Sequence, residues 1–194
     1  LGALDRQLRD RMQLEIKGLH RRLGITVLYV THDQEEAMAM SDRICLLNQG
    51  RIEQIGTPQD LYFRPRSLFA AEFLGESNIL DASVGEAGKL IGPGGLVLQV
   101  KDGSAGRPGE RVKVLVRPER LHLLGDGESA DNVAEGELGE TVFAGGMTRC
   151  FVRLPEGTVL SGRQLTDRVS EKFRPGARVR VGWRADHALL LPSQ

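Results

Sequence analysis

"ITVLYVTHDQEEAM", residues 25–38, carries the reading on which the fold turns. Ile25, Val27, Leu28, Tyr29 and Val30 are interrupted only by Thr26. The run is too short and too β-branched for a helix, and a strand apolar on both faces belongs inside a parallel sheet. Asp33 is followed three residues later by Glu36, a variant of the capping box, so a helix starts there and runs to about Met40. Upstream, Leu8, Met12, Ile16, Leu19 and Leu23 fall on one helical face. The spacing predicts a helix over 5–23, with Asp5 as N-cap and Gly24 as its stop. Helix, buried strand, helix is the start of an α/β unit.

Downstream, "RICLLNQGRIEQIG" reads as two strands joined at Gln49-Gly50. "TPQDLYFRP" starts a short helix with Pro in its first turn, and "SLFAAEFLG" is a second, stopped by Gly75. Composition changes near residue 78: 6 of the 24 glycines lie before it and 18 after. The later part reads as short strands, roughly 79–84, 96–100, 111–117, 133–143, 147–154 and 177–191, separated by Gly-rich turns. This predicts an all-β domain, a small barrel or a pair of OB-like barrels, with no internal repeat. The boundaries are 1–75 for the α/β part and 76–194 for the β part.

Lys plus Arg equals Asp plus Glu, 26 each, and the balance holds in both parts. Nucleic-acid binding rests on a basic excess, and base stacking on aromatics beside it, so that class is disfavoured. Cys45 and Cys150 each sit in an apolar run, predicting two buried, reduced thiols. No apolar run approaches membrane-spanning length and no leader is readable, so we expect a soluble, cytoplasmic chain. "LGALDRQL", with no Met, reads as the interior of a longer protein.

His32 is the residue whose position suggests chemistry. In open α/β sheets ligands bind beyond the carboxyl ends of strands, and His32 stands there, before a helix N-terminus that favours anions. Its imidazole could donate to a phosphate oxygen. The competing reading is a polar residue that ends a strand. Asp33, Glu35 and Glu36 read as helix caps and dipole complements. The remaining histidines, His20, His122 and His187, are scattered without metal-ligand spacing, so no metal site is expected. "GPGG" and "FAGG" lack the Walker pattern of a phosphate loop and read as turns.

"LGALD", "THDQEEAM", "SDRICLLNQGRIEQIGTPQDLYFRP" and "FAAEFLGESNIL" together closely resemble the ATP-binding subunits of ABC importers, in the subgroup with a C-terminal TOBE (OB-like) domain. "VLVRPERLHL" and "GGMTRCFVRLPEGTVL" resemble TOBE strands more loosely. The resemblance implies an α/β fragment of an ABC nucleotide-binding domain followed by an all-β TOBE barrel. Gly2, Ala3, Leu4 and Asp5 would be the nucleotide-contacting D-loop, with Gly2 where the family often has Ser. His32 would be the switch histidine that contacts the γ-phosphate of ATP. The parent protein would be an ATPase using ATP and Mg2+. It would pair with a second copy of itself and with membrane permease subunits, on the cytoplasmic face of the membrane, and "FLGESNIL" leans toward polyamine importers. The TOBE domain would supply dimer contacts and regulation.

The Walker A, signature, Q-loop and Walker B motifs of that family do not occur in this sequence, so this chain alone is expected to bind no cofactor and to be inactive. By the same resemblance the 25–31 strand would lack its usual neighbours, and residues 1–75 are expected to be partly rearranged or paired with another copy. The alternative function is a stand-alone TOBE-type module that binds a small anion or a regulatory partner, with Arg117 and Arg120 of "VRPERL" as the candidate anion ligands.

Overall fold

The computed structural model describes residues 6–101, 106–166 and 173–192. The chain divides into two compact units, Leu1–Gly75 and Glu76–Gln194.

In the first unit, α1 (Arg6–Leu23) ends as the sequence predicts. Gly24 takes a φ of 63° and its N–H donates to the His20 carbonyl. The expected strand over 25–31 is not formed. Its apolar side chains lie exposed, Leu28 at 90% and Val30 at 86%. A strand apolar on both faces is stable only between paired neighbours, and among the described residues no strand pairs with it. The expected buried stripe of α1 is likewise open, with Leu8, Ile16, Leu19 and Leu23 exposed.

The rest of this unit follows the local signals. Helix α2 (Gln34–Met40) is capped by Asp33. Strands β1 (Ile44–Asn48) and β2 (Arg51–Gly56) form an antiparallel hairpin turning at Gln49 and Gly50, both at positive φ. Helix α3 (Pro58–Phe63) has Thr57 as N-cap and Pro58 in its first turn, and α4 (Leu68–Phe73) has Ser67 as N-cap. Leu46, Leu61, Ala70 and Leu74 make a small core. Buried Gln54 joins the hairpin to the loop between α3 and α4: Nε2 donates to the Arg64 carbonyl and Oε1 accepts from the Arg66 N–H. Cys45 is exposed on the hairpin, so only Cys150 of the two thiols is buried. In a two-stranded hairpin, alternation leaves one face without cover.

The second unit is all antiparallel β. Its strands are β3 (Asn78–Val84), β4 (Leu90–Ile91), β5 (Val97–Leu98), β6 (Arg111–Val116), β7 (His122–Leu124), β8 (Asn132–Ala144), β9 (Met147–Arg153), β10 (Val159–Leu165), β11 (Arg178–Trp183) and β12 (Ala188–Pro192). The strand expected over 177–191 is two strands, broken by a 3₁₀ turn at Ala185–His187, and β4, β7 and β10 are additional to the expected set. One sheet runs β12-β6-β3-β4-β5 and the other β7-β11-β8-β9-β10, and both bury their inner faces in one shared core.

Those two orders are the same order. β3 to β7 and β8 to β12 are equivalent half-units, and each half gives its last strand to the other's sheet. The sequence carries the repeat, contrary to expectation. "RVKVLVRPER" (111–120) aligns with "RVRVGWRADH" (178–187), and Asn78 aligns with Asn132. The burial patterns of β6 and β11 are identical. The repeat escapes inspection because most of the matched residues are Val or Arg, which recur in any β sequence.

The two asparagines show what the repeat preserves. Asn78 on β3 donates through Nδ2 to the carbonyls of Ser161 (2.8 Å) and Val116 (3.2 Å), and its Oδ1 accepts the Ser161 N–H (2.7 Å). Asn132 on β8 donates to the carbonyls of Gln99 and, at 3.5 Å, Trp183, and accepts the Gln99 N–H. Ser161 lies on the edge strand β10 and Gln99 just beyond the edge strand β5. Each buried amide therefore acts as the missing neighbour of an edge, fastening one sheet to the other.

Candidate functional site

His32 is exposed, in the bend immediately before α2. The residues around it are held by a hydrogen-bonded set. Glu36 is buried, and its Oε2 accepts from the Tyr29 hydroxyl at 2.6 Å and the Thr31 hydroxyl at 3.0 Å. Thr31 Oγ1 also accepts the Asp33 N–H at 3.0 Å, and Asp33 Oδ1 accepts the N–H groups of Glu35 and Glu36. Residues 29, 31, 33 and 36 thus tie the bend down while His32 projects to solvent. The Tyr29 hydrogen bond, with help from Thr31, holds the Glu36 carboxyl below its ordinary range, and the same bond raises the Tyr29 phenol.

This changes one expectation. The N–H groups at the start of α2 are occupied by Asp33, so chemistry here belongs to the His32 side chain and not to the helix end. Asp33 caps the helix as its spacing suggested, whereas its own N–H goes to Thr31 rather than completing a capping box, and Glu36 braces the bend through Tyr29 and Thr31. The four residues Gly2, Ala3, Leu4 and Asp5 lie outside the described residues. Beside the bend, a half-open cleft of about 440 Å³ is lined by Arg9, Asp10 and Gln13 of α1 and Glu35, Glu36 and Ala39 of α2. Lys17 Nζ donates to the Ala39 carbonyl and closes one contact between these helices.

The second unit brings together residues that look scattered in the sequence. A cleft of about 550 Å³ is lined by Arg120, His122, Asp131, Trp183, Arg184 and His187, with Leu124 and Ala130 among its apolar members. It forms where the 3₁₀ turns Pro118–Arg120 and Ala185–His187 leave β6 and β11. Arg120 and His187 are equivalent positions of the repeat, and they meet: Arg120 Nη1 lies 3.0 Å from His187 Nε2. Gly182, paired with His122 across β11 and β7, is also part of the lining. A Cβ there would come within 2.8 Å of Ala130 Cβ and Leu124 Cδ1, so the close approach of the lining requires glycine.

Arg117 and Arg120, paired in the sequence reading, part company. Arg117 is buried at 3% exposure and donates to Ser77 Oγ (2.6 Å) and the Glu76 carbonyl (3.3 Å), bracing the start of the unit. Nearby, Glu76 takes ion pairs from Arg149 and Arg163. Only Arg120 lines the cleft. Among the described residues no group of His, Cys, Asp and Glu is arranged to hold a metal ion, and no helix is long and apolar enough to cross a membrane.

Comparison with known proteins gives this geometry a context. Residues 114–191 match the TOBE domain family. The chain is 45% identical over 197 residues to the spermidine/putrescine import ATP-binding protein PotA of Rubrobacter xylanophilus, covering 98% of this chain and 52% of that protein. It is 40% identical to PotA of Methylococcus capsulatus, covering 99% and 51%. The chain spans about half the length of these curated relatives. The cytoplasmic molybdate-binding protein ModG, solved with molybdate bound, superposes with a TM-score of 0.53 at 21% identity, over 60% of this chain and 96% of that one, a likeness of fold alone. By these matches nearly the whole chain is similar to about half of a spermidine/putrescine import ATP-binding protein, and residues 114–191 are similar to a TOBE domain.

Proposed function

We propose that this chain is part of the ATP-hydrolysing subunit of an ABC importer that moves spermidine, putrescine or a related polyamine. The observation that carries the reading is the match to polyamine import ATP-binding proteins over 98% of this chain. In this reading residues 1–75 belong to the end of a nucleotide-binding domain and 76–194 are the TOBE domain. ATP and Mg2+ bind chiefly through motifs in the rest of the protein. A second copy of the subunit completes the nucleotide sandwich, permease subunits hold it at the inner face of the membrane, and the TOBE unit contributes dimer contacts and regulation.

His32 then acts by donating an imidazole hydrogen bond to a γ-phosphate oxygen as charge builds there during phosphoryl transfer. Its exposure supports this, because a buried side chain could not reach a phosphate. The Tyr29–Thr31–Asp33–Glu36 set fixes the backbone on either side of His32, so that only its side chain remains to be ordered when the phosphate arrives. Gly2, Ala3, Leu4 and Asp5 would cross the dimer interface as the D-loop.

The test is His32→Ala in the full-length protein. ATP binding should persist while ATP hydrolysis and spermidine uptake fall by about 100-fold or more. Full uptake by the variant would refute the role of His32. Wild-type protein that hydrolyses ATP with its permease but ignores polyamines would refute the substrate. The 194-residue chain alone should show no turnover.

A further inference from the structure

The cleft between the two 3₁₀ turns of the second unit has no part in polyamine import as proposed above, and its chemistry stands apart from that proposal. Arginine only donates, so the Arg120–His187 contact requires a lone pair on His187 Nε2 and puts the imidazole proton on Nδ1. His187 is therefore neutral here, and the contact leaves the guanidinium charge in place. Burial and then Arg120 lower the His187 pKa, with Arg184 and His122 adding to the effect and Asp186 opposing it. The nearby acids are engaged. Asp186 is held by Arg184 through two hydrogen bonds, and Asp131 Oδ2 accepts the Ala185 N–H. His122 lies on the same lining.

We propose that this cleft is a binding site for a small organic carboxylate, which enters between Arg120 and His187 and is taken up together with a proton on His187. Two features select a carboxylate with a carbon body over a bare inorganic oxyanion. The planar fork of Arg120 matches a carboxylate in two parallel hydrogen bonds. The space, about 550 Å³, is in the range of small-molecule pockets, and its lining includes Leu124 and Ala130, which offer apolar contact to a carbon skeleton. On binding, the carboxylate replaces His187 Nε2 as acceptor for Arg120. The freed nitrogen takes a proton and donates to the second side of the anion. Atoms and charge balance: one anion and one solvent proton enter.

Trp183 is the chain's only tryptophan and belongs to the lining, so its emission reports occupancy. The experiment titrates the intact chain with sodium benzoate, and separately with inorganic phosphate, at constant ionic strength by calorimetry and Trp183 emission. Benzoate should bind at one site about tenfold tighter near pH 6 than near pH 8, because one proton is linked to binding. Arg120→Gln should lose at least about tenfold in affinity at both pH values. His187→Gln should bind with little pH dependence. Arg120→Lys, which keeps the charge and loses the fork, gives the same comparison should the glutamine variant fail to fold; it should weaken benzoate binding. Silence toward benzoate at both pH values overturns the site, as does undiminished binding by the Arg120 variants. Binding of phosphate with no response to benzoate overturns the carboxylate assignment, and a His187→Gln variant that keeps the pH dependence overturns the proton coupling.

Discussion

Replacing Asn78 with alanine tests the duplicated architecture at its joint. The side chain is 5% exposed and makes two hydrogen bonds with the backbone of Ser161 and one with Val116. Truncation leaves the Ser161 N–H and carbonyl, on the outer edge of β10, without the amide that stands in for a neighbouring strand. A buried polar group left unsatisfied costs about 1–3 kcal/mol, and water reaching the edge recovers part of this, so a net loss of about 3 kcal/mol is expected. At roughly 4 °C per kcal/mol for a unit of this size, the melting temperature falls by about 12 °C. Urea unfolding followed by Trp183 emission reads this unit alone, because Trp183 is the only tryptophan and is 1% exposed in its core. The midpoint should drop by about 2 M. Asn132→Ala removes the equivalent pair of bonds to Gln99 and should give a similar loss. Asn78→Asp keeps an acceptor for the Ser161 N–H but offers no donor to the two carbonyls, and should be no more stable than the alanine variant at neutral pH. A loss below about 0.5 kcal/mol for both alanine variants would refute the view that these amides hold the sheets together.

Three further outcomes are expected. A thiol reagent should modify exposed Cys45 at once and Cys150 only on unfolding, since burial pushes the Cys150 thiol up; fast reaction of both would contradict the core. An ultraviolet titration of the two tyrosines should show Tyr29 ionising above the ordinary phenol value, and Glu36→Gln should bring it down. The sign for Glu36 itself is fixed by its depressed pKa: its bracing of the His32 bend is complete above the ordinary carboxylate range and is lost as pH falls through the lowered value. Gly136→Ala places a Cβ 2.6 Å from the Arg153 carbonyl oxygen and 2.7 Å from Val152 Cγ1, and should destabilise by about 2 kcal/mol. Gly146→Ala meets nothing within 4 Å and should change little in the same urea assay.

Local chemistry is what the sequence alone determined. The cap at Asp33, the two short helices in "TPQDLYFRP" and "SLFAAEFLG", the stop at Gly24, the Gln49-Gly50 turn and the shift to strands near residue 78 all depend on a few adjacent residues, and all are found. The similarity to import ATP-binding proteins, too, is legible in short linear motifs. His32 stands out because a strand-end histidine is a local pattern.

What required the tertiary structure is whatever depends on a distant partner. The 25–31 segment has a strand's composition, yet a strand exists only with a neighbour to bond, and none is supplied among the described residues. Asn78 and Asn132 read as ordinary turn-prone residues until the backbone groups of Ser161 and Gln99 arrive beside them. Arg117 and Arg120, three positions apart, divide between a buried brace and an open cleft because a single 3₁₀ turn sends them to different surroundings. Arg120 and His187 become neighbours only because each half of the β unit lends its last strand to the other. Hydrogen bonding along the chain is set by sequence distance, whereas the meeting of two sheets is set by how their apolar faces close on a common core.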